Sequence, residues 1–447
     1  MEYKNATNLT SVAAGTNCSF VFNIPKGLVV TLKFAARYSI AKNESLTYTD
    51  ASGTVYKVRE PVNNAIAFGT APKVSIGVTS RTDNFQLYIT YKAKQIAPLR
   101  TEKRHSGDIV SLGLLQTNFV SIQSNLNYFP TLSADCTDEN YELELGQIMV
   151  FDGADPINGT FLGTLTAFLK YNPKPSSNVI SLTTFYKSNF AGECYVLADD
   201  NSTVANYGSH SLVVTRKGGN LSAKLNDYSN NGALYTVYCT NCYEFYIKNV
   251  TFDSLGTFNT GYLNFRGMTP THKYPGLLQY VVQNYTDNQM PQLIPSQTFT
   301  LLVYMSKVNI MFSTFDDGNW LKPYDERTGF IFAPSVWNHA SSKSYDYNFN
   351  DSTGTHKFTV DMGNMKFLPG DSLSLKIGPN NGNEAVDNKY PQDKSSNGIV
   401  EAIGNHMRVQ YQGTSLDSYI KFKIGKSSFF VSVLSAFALA LFNALRF

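Results

Sequence analysis

Residues 73–91 read KVSIGVTSRTDNFQLYITY, and this stretch decides the fold class. Its two ends, 74–78 and 86–91, are rich in the β-branched and aromatic residues that favour extended strands. Ser80, Asp83 and Asn84 lie between them and are typical of turns. The stretch therefore predicts two short strands joined by a turn.

Other parts of the chain have the same character. Residues 29–34 (VVTLKF) form another short run of this composition. Before the last twenty or so residues, no long stretch has apolar side chains at the i, i+3, i+4 and i+7 spacing of a helix. Many short strands with turn signals predict an all-β chain of tandem antiparallel β-sandwiches.

Weak internal repetition indicates that several modules follow one another. Residues 406–424 (HMRVQYQGTSLDSYIKFKI) have the strand–turn–strand form of residues 73–91, and Thr-Ser opens the turn in both. Residues 18–34 are matched in the same way by residues 299–312. We predict that the first and third modules each close with such a hairpin.

The length of 447 residues predicts about three domains of roughly 150 residues each. A charged stretch that ends in glycine, QIAPLRTEKRHSG at 95–107, indicates a linker. The predicted division is residues 1–97 as a first β-sandwich, 98–107 as a linker, 108–249 as a second module, 250–424 as a third, divergent module, and 425–447 as an apolar tail.

The composition excludes two classes of protein. Charged residues make up only 16% of the chain, but 28 Tyr and 30 Phe argue against intrinsic disorder, which is poor in aromatic residues. The formal net charge of the chain is only +3, whereas a nucleic-acid-binding protein would show a strongly basic domain. We expect no nucleic-acid partner.

Asn-x-Ser/Thr sequons indicate an extracellular, glycosylated surface. They occur at Asn5, Asn8, Asn17, Asn43, Asn158, Asn201, Asn220, Asn249, Asn284 and Asn350. Glycans at these positions would supply the solubility that charged residues usually supply.

The five cysteines favour structural disulfides over a metal site. A lone CxxC at 239–242 has no second CxxC to complete a zinc site, and its flanks have strand character. Cys136, Cys194, Cys239 and Cys242 can pair in three ways, of which Cys136–Cys194 with Cys239–Cys242 is favoured. Cys18 is left without a partner.

The N-terminal residues MEYKNAT lack the apolar segment of a signal peptide. A secreted chain needs such a signal, and Cys18 needs a partner. We hypothesise that the chain is truncated at its N-terminus, and that the missing piece held both.

Residues 429–445 (FFVSVLSAFALALFNAL) form an uncharged tail that could anchor the protein in a membrane. A GPI signal is favoured, with a short membrane span and a buried core helix as alternatives. Gly425, Ser427 and Ser428 are the candidate attachment residues.

Residues 17–27 (NCSFVFNIPKG) resemble the Cys–aromatic–apolar–Pro–Gly opening of CUB and CUB-like domains. Residues 146–153 (GQIMVFDG) and 161–165 (FLGTL) resemble a later strand ending in Asp-Gly and the glycine turn that follows it. The chain is most similar to the nematode CUB-like group, whose members are secreted or GPI-linked. The resemblance implies jelly-roll-like β-sandwiches and an extracellular binding role.

Some CUB domains bind calcium through three acidic residues, because calcium prefers hard oxygen ligands. Carried over to the third module, this pattern selects Asp316, Asp346 and Asp417 as possible ligands. Ordinary solvated loop carboxylates are the more frequent alternative, so we expect no metal and no other cofactor.

No catalytic motif stands out. The sequence lacks GxSxG, HExxH and Walker A motifs, and its six His are scattered. Trp320 and Trp337 are the remaining candidates for a ligand site, because tryptophan next to polar residues could stack on sugars. Core packing is the favoured interpretation of both.

The resulting hypothesis is a non-enzymatic, lipid-anchored glycoprotein on the outer leaflet of the plasma membrane, reached by the secretory pathway. It would bind an unknown glycan, lipid or microbial surface and contact the membrane through its tail. A role in epithelial innate defence or stress response is what the resemblance to the CUB-like family implies. One alternative is a carbohydrate- or lipid-binding module without an immune role. Another is an unrecognised secreted hydrolase with convergent His, Asp and Ser.

Overall fold

The computed structural model describes residues 9–59, 62–125, 127–186, 193–227, 229, 231–253, 260–282, 287–341, 344–379, 382–391, 398–413, 415 and 418–426. The chain forms two compact units. The first contains residues 1–206 and 210–214, and the second contains residues 207–209 and 215–447. Each unit is built almost entirely from short β-strands, as the sequence predicts.

In the first unit, the described strands form two β-sandwich modules. Module 1 contains β1 (Thr10–Ser11), β2 (Asn17–Asn23), β3 (Leu28–Arg37), β4 (Ser45–Thr49), β5 (Val55–Lys57), β6 (Val62–Thr70), β7 (Lys73–Thr79) and β8 (Gln86–Gln95). Module 2 contains β9 (Arg100–His105), β10 (Ile109–Ser111), β11 (Asn118–Gln123), β12 (Pro130–Cys136), β13 (Ile148–Asp152), β14 (Thr160–Thr164), β15 (Val179–Thr184) and β16 (Cys194–Asp200). Strand β17 (Ser209–Thr215) follows module 2.

In the second unit, the described strands form two further β-sandwiches. Module 3 contains β18 (Asn220–Asn226), β19 (Ala233–Cys239), β20 (Phe245–Phe252), β21 (Tyr262–Gly267), β22 (Gly276–Val281), β23 (Gln292–Ile294), β24 (Thr298–Tyr304) and β25 (Lys307–Ser313). Module 4 contains β26 (Thr328–Phe332), β27 (Tyr345–Asn350), β28 (His356–Asp361), β29 (Ser372–Gly378), β30 (Val386–Tyr390), β31 (Ile399–Gly404), β32 (His406–Gln412) and β33 (Tyr419–Lys426).

Sheet order defines the two layers of each sandwich. Module 1 stacks β1-β8-β3-β6 on β2-β7-β4-β5, and module 2 stacks β10-β16-β12 on β14-β13-β15-β11-β9. Module 3 contains β19-β24-β21-β22 and β18-β25-β20-β23, and module 4 contains β26-β33-β28-β31 and β27-β32-β29-β30. The pairing is antiparallel except between β9 and β11, which run parallel.

Helical elements are short. The α-helices are α1 (Glu142–Leu145), α2 (Leu165–Tyr171), α3 (Asn201–Val204) and α4 (Pro334–Trp337), and single 3₁₀ turns occupy Ile40–Lys42, Leu112–Gln116, Glu139–Tyr141, Pro270–His272 and Asp287–Gln289. Among the described residues, none of these helices has the length and apolar character to cross a bilayer. The tail at 429–445 lies outside the described residues.

Four modules in the described residues replace the predicted three, and two predicted boundaries are corrected. Strand β20 runs across the predicted break between residues 249 and 250, because its pairing with β25 buries Val250 in a sheet. The predicted linker at 98–107 contains β9, whose hydrogen bonds to β11 make it an edge strand of module 2. The predicted end of the first module, at residue 97, lies just beyond the end of β8 at Gln95.

The predicted closing hairpins are also corrected. The strands at 73–91 are present as β7 and β8, but β7 pairs with β2 and β4, whereas β8 pairs with β1 and β3. In the same way, β32 and β33 belong to opposite sheets of module 4. Each turn therefore carries the chain from one layer of a sandwich to the other. The buried faces of both strands meet in the core rather than lying side by side.

Each unit has aromatic residues where its modules meet. In the first unit, Phe68 of module 1 lies 5.9 Å from Phe185 of module 2, measured between ring centroids. In the second unit, Trp337 of α4 packs edge-on against Phe299 of module 3 at 6.3 Å. Burial of such apolar surface stabilises each pair of modules.

Candidate functional site

The cysteines form the two favoured bridges. Cys136 and Cys194 face each other across the antiparallel pair β12–β16, and their sulfur atoms are 2.09 Å apart. Cys239 and Cys242 bridge the turn between β19 and β20. Cys18 is a free, exposed thiol on β2. The CxxC motif is therefore a structural disulfide that fixes the backbone before Tyr243.

The two tryptophans are core residues, in agreement with the favoured interpretation of the sequence and not with the ligand-site alternative. Trp320 is 1% exposed and Trp337 is 0% exposed. Trp320 packs against the rings of Phe349 and Phe422, and Trp337 against those of Phe299 and Phe332. Rings buried in this way cannot stack on a sugar without unfolding the module.

The two possible calcium ligands that the structure describes, Asp316 and Asp346, are both held by neighbouring groups. Both carboxylate oxygens of Asp346 accept hydrogen bonds from Arg408, and this pairing lowers the pKa of Asp346. Asp316 accepts from the backbone N–H of Gly318 in an exposed turn, and Asp417 lies outside the described residues. Among the described residues, no group of three or more His, Cys, Asp and Glu side chains is placed to hold a metal ion.

The predicted glycosylation sites that can be inspected lie at the surface. Asn17, Asn43, Asn158, Asn220, Asn249 and Asn350 are exposed, and Asn201 is half-buried. The amide oxygen of Asn201 accepts a hydrogen bond from the backbone N–H of Phe129. Asn5, Asn8 and Asn284 lie outside the described residues. Glycan occupancy stays a prediction.

A Ser, a His and an Asp converge in the first unit, but their geometry does not suit hydrolysis. Nε2 of His210 lies 2.8 Å from Asp199 and 3.4 Å from the hydroxyl of Ser133. Both contacts use the same ring nitrogen, whereas a catalytic triad needs the nucleophilic hydroxyl and the orienting carboxylate on opposite nitrogens of the histidine. All three side chains are also buried. This cluster is a structural polar network.

The site with the most ligand-like chemistry is a polar groove at the junction of modules 3 and 4. We call it the junction groove; its volume is about 580 Å³, within the range of about 300–1,000 Å³ typical of ligand sites. Its lining includes Tyr243, Glu244, Gln297, Asn338, Ser344, Tyr345 and Asp346. A second depression of about 550 Å³ on the β27-β32-β29-β30 sheet shares Ser344, Tyr345 and Asp346 with it.

Three tyrosines form a stacked row beside the groove. The ring of Tyr345 lies 5.2 Å from that of Tyr347 and 5.4 Å from that of Tyr411, measured between centroids. The Tyr411 hydroxyl donates to Asp371 at 3.2 Å, but the Tyr345 hydroxyl is buried without a hydrogen-bond partner among the described residues. Burial raises the pKa of Tyr345 well above its usual value. Tyr345 is therefore a neutral phenol with an unused donor.

Polar side chains at the groove are held by neighbouring groups. The hydroxyl of Tyr246 donates to Glu244 at 2.7 Å, and the side-chain amide of Gln297 donates to the carbonyl oxygen of Cys239 at 2.9 Å. The amide oxygen of Asn338 accepts from the backbone N–H of Ala340 at 3.0 Å. These bonds fix the side chains before a ligand arrives, which lowers the entropic cost of binding.

The sequence did not reveal this groove. The sequence offers Asp346 only as a possible calcium ligand, but the informative residues are the tyrosines on either side of it. Tyr243 was visible only as the residue after the CxxC motif. The lining residues come from segments far apart in the chain, and no local pattern brings them together.

The fold and the groove define a class of protein: β-sandwich modules with disulfides and a polar groove. Within this chain, residues 1–95 match the family model described as CUB-like domain. The resemblance found in the sequence is thereby confirmed for that segment. CUB-like domains are typically extracellular binding modules.

Similar solved structures also contain CUB domains. The CUB1-EGF-CUB2 domains of rat MASP-1 are 9% identical to this chain, with a TM-score of 0.17, and cover 47% of this chain and 99% of their own. The CUB1-EGF-CUB2 domain of human MASP-1/3 is 9% identical, with a TM-score of 0.17, and covers 69% and 97% respectively. No curated protein matches the sequence.

Proposed function

We propose that this protein acts outside the cell as a lipid-anchored, glycosylated surface protein, and that it binds rather than catalyses. Its setting would be an epithelial surface, in innate defence or stress response. The observation that carries the proposal is the CUB-like match of residues 1–95, joined to disulfide-bridged sandwiches in the modules that follow.

The disulfides and sequons support an extracellular location. Disulfides persist in oxidising compartments and are rare in the cytosol of most organisms. Cys136 and Cys194 are buried inside module 2, so their bridge has a structural role. Sequons on exposed strand and turn positions would leave attached glycans in solvent without disturbing a core.

The end of the described chain is compatible with a lipid anchor. Strand β33 closes module 4 and pairs with β28 up to the last residue before the candidate attachment serines. Attachment at Gly425 would preserve nearly all of β33, whose Ile420, Phe422 and Ile424 are buried. Ser427 and Ser428 lie outside the described residues. The anchor would then follow directly on a folded module.

Cells that express the protein provide the test. Surface biotinylation should label it, phosphatidylinositol-specific phospholipase C should release it into the medium, and N-glycosidase should reduce its apparent mass. A protein that escapes surface labelling and keeps its mass after N-glycosidase would contradict the proposal. A surface protein that resists the phospholipase would contradict the lipid anchor alone.

The immune part of the proposal has its own test. Transcript and surface protein should rise when the epithelium is exposed to a pathogen, and they should not change under a matched exposure to harmless food bacteria. Equal levels in both conditions would contradict a defence role. They would favour a constitutive carbohydrate- or lipid-binding surface protein.

A further inference from the structure

We infer that the junction groove of modules 3 and 4 binds a neutral saccharide. This inference rests on the proposed binding function and names the ligand class. Four residues carry it: Tyr243 and Glu244 from the turn before β20, and Tyr345 and Asp346 from β27.

Tyr243 supplies an aromatic face in water. It is 75% exposed, and the Cys239–Cys242 bridge fixes the backbone directly before it. An amphipathic ring of this kind packs its flat face on apolar C–H groups while its hydroxyl stays hydrated. The C–H face of a pyranose ring is a matching surface.

The two carboxylates supply strong hydrogen-bond acceptors. Glu244 is held by the Tyr246 hydroxyl at 2.7 Å, and Asp346 is held by Nε of Arg408 at 2.9 Å. Hydrogen bonds from hydroxyl donors to a carboxylate are stronger than those to neutral acceptors. Sugar hydroxyls would donate to these oxygens without a large reorganisation of the groove.

Tyr345 supplies an independent sign that a polar ligand belongs here. Its side chain is 7% exposed, and its hydroxyl has no hydrogen-bond partner in the part of the chain that the structure describes. Buried polar groups in native proteins are almost always hydrogen-bonded, to protein or to water. The hydroxyl itself is closed to solvent, so a ligand hydroxyl in the groove completes its bonding only if the Tyr345 ring tilts toward the groove.

The chemistry of the lining favours a neutral saccharide over other ligands. Glu244 is held by a neutral hydroxyl, so its charge repels phosphate, sulfate and sialic acid groups, whereas the charge of Asp346 is offset by Arg408. Serine, glutamine, asparagine and carboxylate side chains do not suit an acyl chain, which needs an apolar cavity. A hydroxyl-rich, uncharged ring satisfies the aromatic face, the acceptors and the unused phenol together.

The test uses the full-length protein on an array of neutral, sialylated and sulfated glycans attached to one carrier peptide, with the bare carrier as blank. Neutral glycans should bind, and the best one should be titrated against variants. Tyr243→Ala should weaken binding about tenfold. Tyr345→Phe, which removes only the hydroxyl, should weaken it by about three- to tenfold.

The matched control is Tyr91→Ala, since Tyr91 is a 65% exposed tyrosine on β8 that does not line the groove. It should bind as the unmodified protein does. Tyr345→Phe should fold normally, so a loss of binding there reports the missing hydroxyl and not a damaged module.

Four results would overturn the inference: no binding to neutral glycans, binding to the bare carrier peptide, unchanged affinity of Tyr243→Ala and Tyr345→Phe, or a preference for the sulfated or sialylated forms. These failures are distinct from that of the proposed function. A protein that reaches the surface but binds no glycan contradicts only the saccharide site, whereas one that never reaches the surface contradicts the proposed function.

Discussion

Glu44 is a buried carboxylate that ties two loops of module 1 together. It accepts hydrogen bonds from the backbone N–H groups of Ser39, Arg81 and Thr82 at 2.9, 3.1 and 2.8 Å, and from the Thr82 hydroxyl at 2.8 Å. Burial alone would raise its pKa, but these donors outweigh burial and lower the pKa to about 2. The ionised form therefore stabilises the folded module.

The pH dependence follows from that direction. A carboxyl group with a depressed folded pKa contributes its stability above the unfolded pKa of about 4.5, and loses it as the pH falls toward about 2. We expect Glu44→Gln to lower the free energy of unfolding of module 1 by about 2 kcal/mol at pH 7. The loss should shrink as the pH drops from about 4.5 to 2.

This loss of stability can be measured by hydrogen exchange of the backbone amides of Arg81 and Thr82, with the exchange rates corrected for the intrinsic effect of pH. Asp83→Asn is the control, because Asp83 accepts a backbone hydrogen bond from Ala14 at an exposed site. An equal effect of the two substitutions, or a Glu44→Gln effect that does not change with pH, would contradict the account.

Arg327 is a buried cation among aromatic rings. Its guanidinium carbon lies 5.1–5.6 Å from the ring centroids of Trp320, Tyr324, Phe349 and Phe422. It donates to the carbonyl oxygens of Lys322 at 2.6 Å and Pro291 at 3.2 Å. Burial lowers its pKa to about 10, so it remains charged at neutral pH.

We expect Arg327→Lys to lower the stability of module 4 by about 2 kcal/mol. A compact ammonium group cannot replace the planar guanidinium, which stacks on aromatic rings and donates to two carbonyl oxygens. Arg408→Lys, at an exposed ion pair, should cost less than about 1 kcal/mol. The two tryptophans of the chain both lie in module 4, so denaturation followed by tryptophan fluorescence reports on that module. Similar losses for the two variants would be evidence against a special role for Arg327.

At the scale of elements, the crossing of β31 into β32 depends on a glycine. A Cβ atom on Gly404 would lie 2.4 Å from the carbonyl oxygen of Gly378 on β29. The next residue, Asn405, donates its backbone N–H to that same oxygen at 3.1 Å. The two sheets of module 4 thus approach each other at a point where a side chain has no room.

Gly404→Ala should therefore destabilise module 4 by about 2–3 kcal/mol, because the atoms that the added Cβ would meet belong to the backbone of Gly378 and cannot move aside. Gly425→Ala is the matched control in the same sheet, because no atom lies within 4 Å of its added Cβ. Tryptophan fluorescence during urea denaturation measures both. Equal midpoints for the two variants would show that the crossing can open.

Local patterns in the sequence were enough to predict strands, turns and disulfides. The composition of residues 73–91 correctly predicted β7 and β8, and the apolar Val74, Ile76 and Val78 all face the core. The same composition cannot distinguish a hairpin from a turn between sheets, because both leave one face of each strand buried. That choice is made by partners distant in sequence, such as β2 and β3.

At the scale of the whole molecule, the number of modules was the main error. Dividing the length by an average domain size predicted three modules, and the repeat that closes the last one was assigned to the third. Each sandwich is compact, at about 100 residues, so the described chain holds four of them. The junction groove could not be foreseen, because Tyr243 and Tyr345 belong to different modules.

We propose that this chain is an extracellular binding protein. The most direct measurement is peptide mapping by mass spectrometry of the protein isolated from the cells that express it, without reduction. We predict a Cys136–Cys194 cross-linked peptide, a bridged Cys239–Cys242 peptide, and glycans on exposed sequons such as Asn43, Asn158 and Asn220. Free thiols at all four cysteines together with unmodified asparagines would contradict the claim.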